Sequence, residues 1–200
     1  MSIYALKPKF QALLRPLAGA LARAGVTANQ VTVAAAVVSV ALGIFVAWRA
    51  PERWPFLLVP LWMFVRMAFN AIDGMLAREF GQKSRLGAYL NELTDVISDS
   101  ALYLPFAFVA PFSPLWTGAV IVLAVISEYA GVLGPMAGAS RRYDGPMGKS
   151  DRAFVFGALG LWVGISPQLP EWAAYAMPLV AMLLVATIVN RVRRGLSEGV

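Results

Sequence analysis

Ionisable residues inside long apolar stretches are the first candidates for chemistry. A charge in hydrocarbon is costly and is kept where it faces a cavity or a partner. In this chain such residues cluster: Arg66 and Asp73 in one stretch, Glu92, Asp95 and Asp99 in the next, and Glu128 in a third. Asn70, Asp73, Gly74, Ala77 and Arg78 recur at i+3 and i+4 spacings, which places them on one stripe of a helix. Gly87, Asn91 and Asp95 form a second stripe in the same way. A short turn, Glu79 to Arg85, joins the two helices, so they are expected to be antiparallel neighbours with facing oxygen-rich stripes. Carboxylate and carboxamide oxygens suit a hard cation such as magnesium, manganese or calcium. The chain has no cysteine and no histidine, which excludes thiolate and imidazole metal sites and the commonest base at neutral pH. Ringed by Arg78, Lys83 and Arg85, a cation site here implies a phosphorylated ligand. Gly74, Ala77 and Gly87 leave room for a bulky group against the helix backbones. A plainer explanation also exists: small residues let membrane helices pack closely, and a lone Asp pairs with an Arg. It suits single residues better than the whole constellation.

The elements that must position these residues follow from composition. Hydrophobic residues make up 59% of the 200-residue chain and charged residues 14%. Mean hydropathy is +0.67. Soluble domains are about half apolar and about a quarter charged, so lipid is the expected solvent. The net charge of +6 then points to a cytoplasmic face against anionic headgroups rather than to nucleic acid. Residues 1–24 hold Lys7, Lys9, Arg15 and Arg23 with no uninterrupted apolar run, unlike a cleavable signal. Tyr4, Leu6, Phe10, Leu13, Leu14, Leu17 and Leu21 recur at helical spacing, which predicts a cytoplasmic amphipathic helix lying along the membrane surface, broken or kinked at Pro8 and Pro16.

Residues 25–200 read as one bundle domain without internal repeats. Six apolar segments are expected near Val26–Trp48 (capped by Thr27 or Asn29), Pro55–Arg78, Leu86–Val109, Leu115–Met136, Ala153–Ile165 and Trp172–Asn190. Backbone groups in hydrocarbon must be satisfied internally, so each segment is expected to be a helix. The fold class is therefore an all-α integral membrane protein: six transmembrane helices preceded by an N-terminal amphipathic interfacial helix. With the N-terminus in the cytoplasm, fourteen of the seventeen Lys and Arg residues fall inside. That bias predicts a multi-pass bacterial-type inner-membrane protein with both termini cytoplasmic and the site opening to the same side.

The run Asn70-Ala-Ile-Asp73-Gly74-Met-Leu-Ala77-Arg78, then eight residues, then Gly87-Ala-Tyr-Leu-Asn91-Glu-Leu-Thr-Asp95 resembles the signature of the CDP-alcohol phosphotransferases, D-x2-D-G-x2-A-R-x8-G-x3-D-x3-D. Every spacing is kept, and the departures are Asn70 and Asn91, where the family has Asp. Gly25-Val-Thr-Ala-Asn29-Gln-Val-Thr32 looks like the family's entry to its first span, with Ala28 in place of the usual Pro. The resemblance implies six spans, transfer of a phosphatidyl or similar phospho-alcohol group from a CDP-activated lipid such as CDP-diacylglycerol to an alcohol acceptor, release of CMP, and a homodimer. It implies one or two Mg²⁺ or Mn²⁺ ions held at Asn70, Asp73, Asn91 and Asp95. Asp95 would be the general base, and Gly74, Ala77, Gly87 and Arg78 would border the cytidine diphosphate. The two asparagines reduce the formal charge of the metal-binding set from −4 to −2, which favours one ion. Asp99, a turn beyond Asp95, is a possible source of the lost charge, whereas Glu92 points about 100° off the stripe, following the helical repeat.

The loop Ser140–Arg152 is the second place for chemistry. Arg141, Arg142, Lys149 and Arg152 are candidates to bind an acceptor phosphate or a lipid headgroup, and equally explicable by positive-inside topology alone. Gly148-Lys149-Ser150 is not a phosphate-binding P-loop, because the upstream glycine is Tyr143 and no strand precedes it. Arg66 either tunes the carboxylates or pairs with Glu128. The competing functions are a catalytically silent membrane scaffold, kept open by the asparagines, and a small cation transporter, which inverted repeats and broken helices would favour.

Overall fold

The computed structural model describes residues 6–198, with side chains from Phe10 onward. Tyr4 therefore lies outside the described residues. Seven α-helices follow one another: α1 Leu6–Arg23, α2 Ala28–Trp48, α3 Leu58–Glu79, α4 Arg85–Tyr103, α5 Pro114–Val132, α6 Lys149–Ile165 and α7 Ala176–Glu198. Short 3₁₀ turns precede α3 and α7 and follow α4 and α5. There is no strand among the described residues.

Local sequence explains the boundaries. Thr27 caps α2: its hydroxyl accepts from the Gln30 amide, and the Gln30 side chain accepts from the Thr27 amide. Ser84 caps α4 by accepting from the Gly87 amide at 2.9 Å. α1 is one helix from Leu6 to Arg23, and neither proline breaks it. Pro8 falls in the first turn, where a missing N–H costs little, and the helix continues through Pro16. α6 begins at Lys149, four residues earlier than apolarity alone suggested, and α7 runs on to Glu198.

Four helical stretches are long and apolar enough to cross a membrane: Ala28–Trp48, Trp54–Glu79, Pro114–Val132 and Glu171–Glu198. α4 and α6 fall short of that standard. α4 carries Arg85, Glu92, Asp95 and Asp99, and α6 has 17 residues beginning with Lys149, Asp151 and Arg152. In α4 the deficit arises from charges that belong to the candidate site, and in α6 from its shorter length. Leu115, Phe154, Leu61, Phe64, Val37 and Ile44 point outward from their helices and are exposed. On a protein in water such a surface would be an aggregation hazard, whereas against lipid it is the ordinary exterior.

α2 packs most extensively against α4, and α5 against α7, while α3 packs on α2, α6 and α1. The α2–α4 approach is backbone to backbone. A Cβ at Gly43 would lie 2.2 Å from the Ala101 carbonyl oxygen, so only glycine fits. One buried cluster fills the end of the bundle away from the signature and extends to Met147 of the basic loop. There Tyr103 stacks on Phe156 at 3.6 Å between centroids, and Phe106 meets Phe56 and Phe156 edge-on. A smaller cluster of Ala18, Ala28, Val31, Ile72, Met75 and Leu76 joins α1, α2 and α3 at the other end. Arg15 of α1 adds a two-pronged ion pair to Glu79 at 2.9 and 3.0 Å.

Candidate functional site

α3 and α4 are not the close-packed neighbours that their short connection suggested. Each packs on α2, and direct backbone contact between them is slight. The five-residue connection is itself pinned to the entry of α2. The Gln82 side chain accepts from the Ala28 amide at 2.6 Å and donates to the Val26 carbonyl at 3.3 Å. With the connection held there, α2 keeps the two helices apart, and side chains rather than backbones meet between them.

Asp73 is buried, and its carboxylate accepts a hydrogen bond of 2.8 Å from the Thr32 hydroxyl of α2. Asn70, one turn earlier, and Asn91 on α4 are half-buried, and neither side chain has a hydrogen-bond partner among the described residues. Asp95 is reached from two sides. Arg66 donates to its carboxylate at 3.1 Å, and Lys149 at the start of α6 makes a short contact with its other oxygen. Gly74 leaves space that Arg78 fills, since a Cβ there would stand 2.6 Å from the Arg78 guanidinium. Ala77 packs with the smaller cluster, and Gly87 faces Asn29 and the Ser84 cap.

Arg66 pairs with Asp95 and Asp99, not with Glu128. Asp99 is fully engaged, at 2.5 Å from Arg66 and 3.0 Å from Arg152, and so has no oxygen to spare for a cation. Glu128 takes Arg152 at 2.9 Å, with Arg141 and Arg191 each at 3.5 Å. Arg152 and Arg191 are almost wholly buried, which is tolerable for a guanidinium only when its donors are met. Arg191 is one of the fourteen Lys and Arg residues that the charge bias assigns to the cytoplasmic side. In the structure it turns inward, and its guanidinium meets the Ser127 and Asp144 carbonyls. No spacing rule marks it out from Arg193 and Arg194 beside it.

The basic loop is likewise paired within the chain. Arg141 binds Glu92 at 2.6 Å and the Tyr143 hydroxyl at 2.5 Å. Arg142 holds Asp144 at 2.7 Å and contacts Glu198, while Arg194 holds Asp144 at 3.0 Å. Burial opposes ionisation of Asp144, but Arg142 and Arg194 outweigh it and hold this loop carboxyl below its usual range. Gly145 adopts φ +121°, and a Cβ there would strike Thr187, so the loop lies directly on α7.

Could these residues hold a metal? Among the described residues no three acidic side chains converge. The candidate donors are two carboxylates, Asp73 and Asp95, and two carboxamides, Asn70 and Asn91. That is a hard-oxygen set whose chemistry fits one divalent cation better than two. Lys149 now contacts one of those donors and would have to withdraw as a cation entered.

Comparison with known proteins bears on the same residues. The CDP-alcohol phosphatidyltransferase family matches residues 25–190. The chain is 45% identical over 193 residues to Inner membrane protein YnbA of Escherichia coli, covering 96% of each chain. It is 31% identical to the phosphatidylinositol phosphate synthase of Mycolicibacterium smegmatis, covering 90% of this chain and 82% of that one. The crystal structure of the Mycobacterium tuberculosis phosphatidylinositol phosphate synthase with CDP-DAG bound superposes with a TM-score of 0.72 at 26% identity, over 90% of this chain and 92% of that one. A second structure of that enzyme, in complex with manganese and citrate, shares the fold at a TM-score of 0.73 and 24% identity, over 90% and 87% of the two chains. The match spans both polar stripes and the basic loop, and the chain belongs to the CDP-alcohol phosphatidyltransferase family.

Proposed function

We propose that this chain transfers a phosphatidyl or similar group from CDP-diacylglycerol, or a lipid like it, to an acceptor alcohol, releasing CMP. The observation that carries the reading is Asp95: a carboxylate at the family's base position, reached by Arg66 and Lys149 and less deeply buried than Asp99. Asp73, Asp95, Asn70 and Asn91 would hold one Mg²⁺ or Mn²⁺. Bound there, the cation would neutralise the diphosphate and the departing CMP. Gly74, Ala77, Gly87 and Arg78 border the nucleotide. Asp95 accepts the proton of the acceptor hydroxyl, the hydroxyl oxygen bonds to the lipid-side phosphorus, and the bond from that phosphorus to CMP breaks. The acceptor approaches from the Ser140–Arg152 loop, beside Arg141 and Lys149, with Arg142 and Arg152 shaping that loop from behind.

The same reading places six helices across an inner membrane, α2 to α7, with both termini and the site on the cytoplasmic side. α4 and α6 cross despite their charges because those charges turn inward onto partners. Residues 1–24 form the interfacial segment, residues 25–200 the catalytic bundle, and the working unit is a homodimer.

The test is the purified chain with CDP-diacylglycerol, Mg²⁺ or Mn²⁺ and a panel of alcohols, with CMP and lipid product read by mass spectrometry. Absence of CMP with every alcohol sinks the transferase reading. A second reading is a silent family member, favoured by Lys149 sitting on Asp95 beside two asparagines. Asn70→Asp with Asn91→Asp separates the two. A gain of CMP release from an inactive wild type establishes the silent member, and a tighter metal requirement in an already active chain supports the enzyme.

A further inference from the structure

Five cations meet at the acceptor side of the site: Arg66, Lys149, Arg141, Arg152 and Arg191. Each contacts a carboxylate of the chain itself. Arg66 and Lys149 hold Asp95, Arg66 and Arg152 hold Asp99, and Arg141 holds Glu92 at 2.6 Å. Glu128 collects Arg152, Arg141 and Arg191. Four carboxylates thus face five cations, and Asp73, whose carboxylate is bonded to the Thr32 hydroxyl and to no cation among the described residues, brings the two signs level. The next cation along the loop, Arg142, is taken by Asp144 and Glu198. Of the five, Lys149 alone would come free as a metal took Asp95, whereas Arg141, on the path of the acceptor, stays matched by Glu92 and Glu128.

A phosphate-bearing alcohol would arrive as a dianion. To reach Arg141 it would have to displace Glu92 or Glu128, leaving that carboxylate beside the incoming charge. Losing a desolvated partner and gaining a like-charge neighbour are both unfavourable. Glu92 also lies three residues before Asp95 and so projects beside it on α4. It is one of the more accessible of these carboxylates, with its side chain 31% exposed. An ionised carboxylate only accepts hydrogen bonds, so it suits the hydroxyls of a polyol or an ammonium group and repels a phosphate.

We infer that the acceptor of this chain is an alcohol carrying no phosphate, recognised by Glu92 and Arg141 beside Asp95. The inference rests on the transferase reading above, and it names the substrate class of that site.

Each alcohol can be compared with its own phosphate ester: glycerol with glycerol 3-phosphate, and myo-inositol with its 1-phosphate. The expected result is that kcat/KM for CMP release favours the unphosphorylated member of each pair by about tenfold or more. Glu92→Gln, at a partly exposed pair that the fold tolerates, should shift the ratio toward the ester by about fivefold or more, because Arg141 is then unopposed. Preference of the wild type for the phosphate esters overturns the inference. So does an unchanged ratio in the Glu92→Gln chain. Should no alcohol release CMP, the transferase reading fails. The charge argument is then decided by melting the full chain in detergent with inorganic phosphate or glycerol 3-phosphate. Stabilisation by either probe that is lost in Arg141→Gln overturns it, and no stabilisation upholds it.

Discussion

Asp95 and Asp99 stand one turn apart on α4 and share a partner in Arg66, yet they belong to different parts of the molecule. Asp99 lies in a closed layer with Glu128, Arg152 and Arg191, where every carboxylate is bonded and access to solvent is nearly nil. Asp95 lies in an open layer with Asn70, Asp73, Asn91 and Lys149, where two carboxamides have no partner among the described residues and Lys149 is 36% exposed. A buried ion pair costs desolvation that its attraction only offsets when the geometry is complete. The closed layer comes near that condition, with every carboxylate paired and one donor, Arg152 Nε, unmet, and it fastens α3, α4, α5, α6 and α7 together. The open layer is less buried, and partly exposed polar groups are what a substrate or cation can use. Charge within the bundle is therefore of two kinds: a frame one turn deeper, and above it a less buried layer that we propose is the working surface.

The widest test of that division is Asp95→Asn. A general base contributes about 10²–10⁴-fold, so CMP release should fall by that factor. Folding should survive, because Arg66 keeps Asp99 and Lys149 keeps access to solvent. Retention of more than about a tenth of the activity would place the base elsewhere, given the size expected of such a group. Arg152→Met probes the other layer and should do the reverse. Removing one partner of a buried pair costs about 3–5 kcal/mol, read as loss of monodisperse, cooperatively melting protein. Adding Glu128→Gln should recover part of that loss. An Arg152→Met chain as stable as the wild type would show that the deep layer is not a frame.

Thr32→Val should matter less. Interhelical hydrogen bonds among membrane helices average about 0.6 kcal/mol, so the melting temperature should drop only slightly. Asp73 would lose its orientation, however, and the concentration of Mg²⁺ or Mn²⁺ needed for half-maximal CMP release should rise. No change in metal requirement would remove Asp73 from the open layer. The smallest effect is expected at the loop that backs the site. The Asp144 carboxyl is held below its ordinary value, so its contribution is present above about pH 4, the unfolded value, and is lost as pH falls through the folded one. Pepsin cleavage within residues 140–148 should accordingly rise between about pH 4 and pH 3. Asp144→Asn should be cleaved readily across that range, and identical profiles for the two chains would show that Asp144 does not hold the loop.

Much of this was legible in the residue order. A helical run near Val26–Trp48, a cap at Thr27 or Asn29 and the two polar stripes follow from hydropathy and from i+3 and i+4 spacing, and the structure selects Thr27 and a start at Ala28. What escaped was contact across helices. Thr32 closes the stretch that resembles the family's entry to its first span, but nothing local marks it as the partner of Asp73. Gln82 lies in a polar turn where any side chain would be expected to face water, yet it bonds the entry of α2 from 54 residues away. Arg191 resembles its neighbours Arg193 and Arg194 but faces the opposite way, because its position on α7 happens to point at Ser127 and Glu128.

By itself the amino-acid sequence determined which segments are helical, which family signature they carry and where its asparagines fall. Those properties depend on composition and on periodicity over a few turns. The tertiary structure alone decided that α2 keeps α3 and α4 apart, that Asp99 belongs to Arg152 and not to a cation, and that the basic loop already has its counter-charges. Pairings of that kind depend on distances of a few ångströms between side chains far apart in sequence. The steep dependence of charge interactions on distance and burial makes those ångströms the difference between a frame and a site.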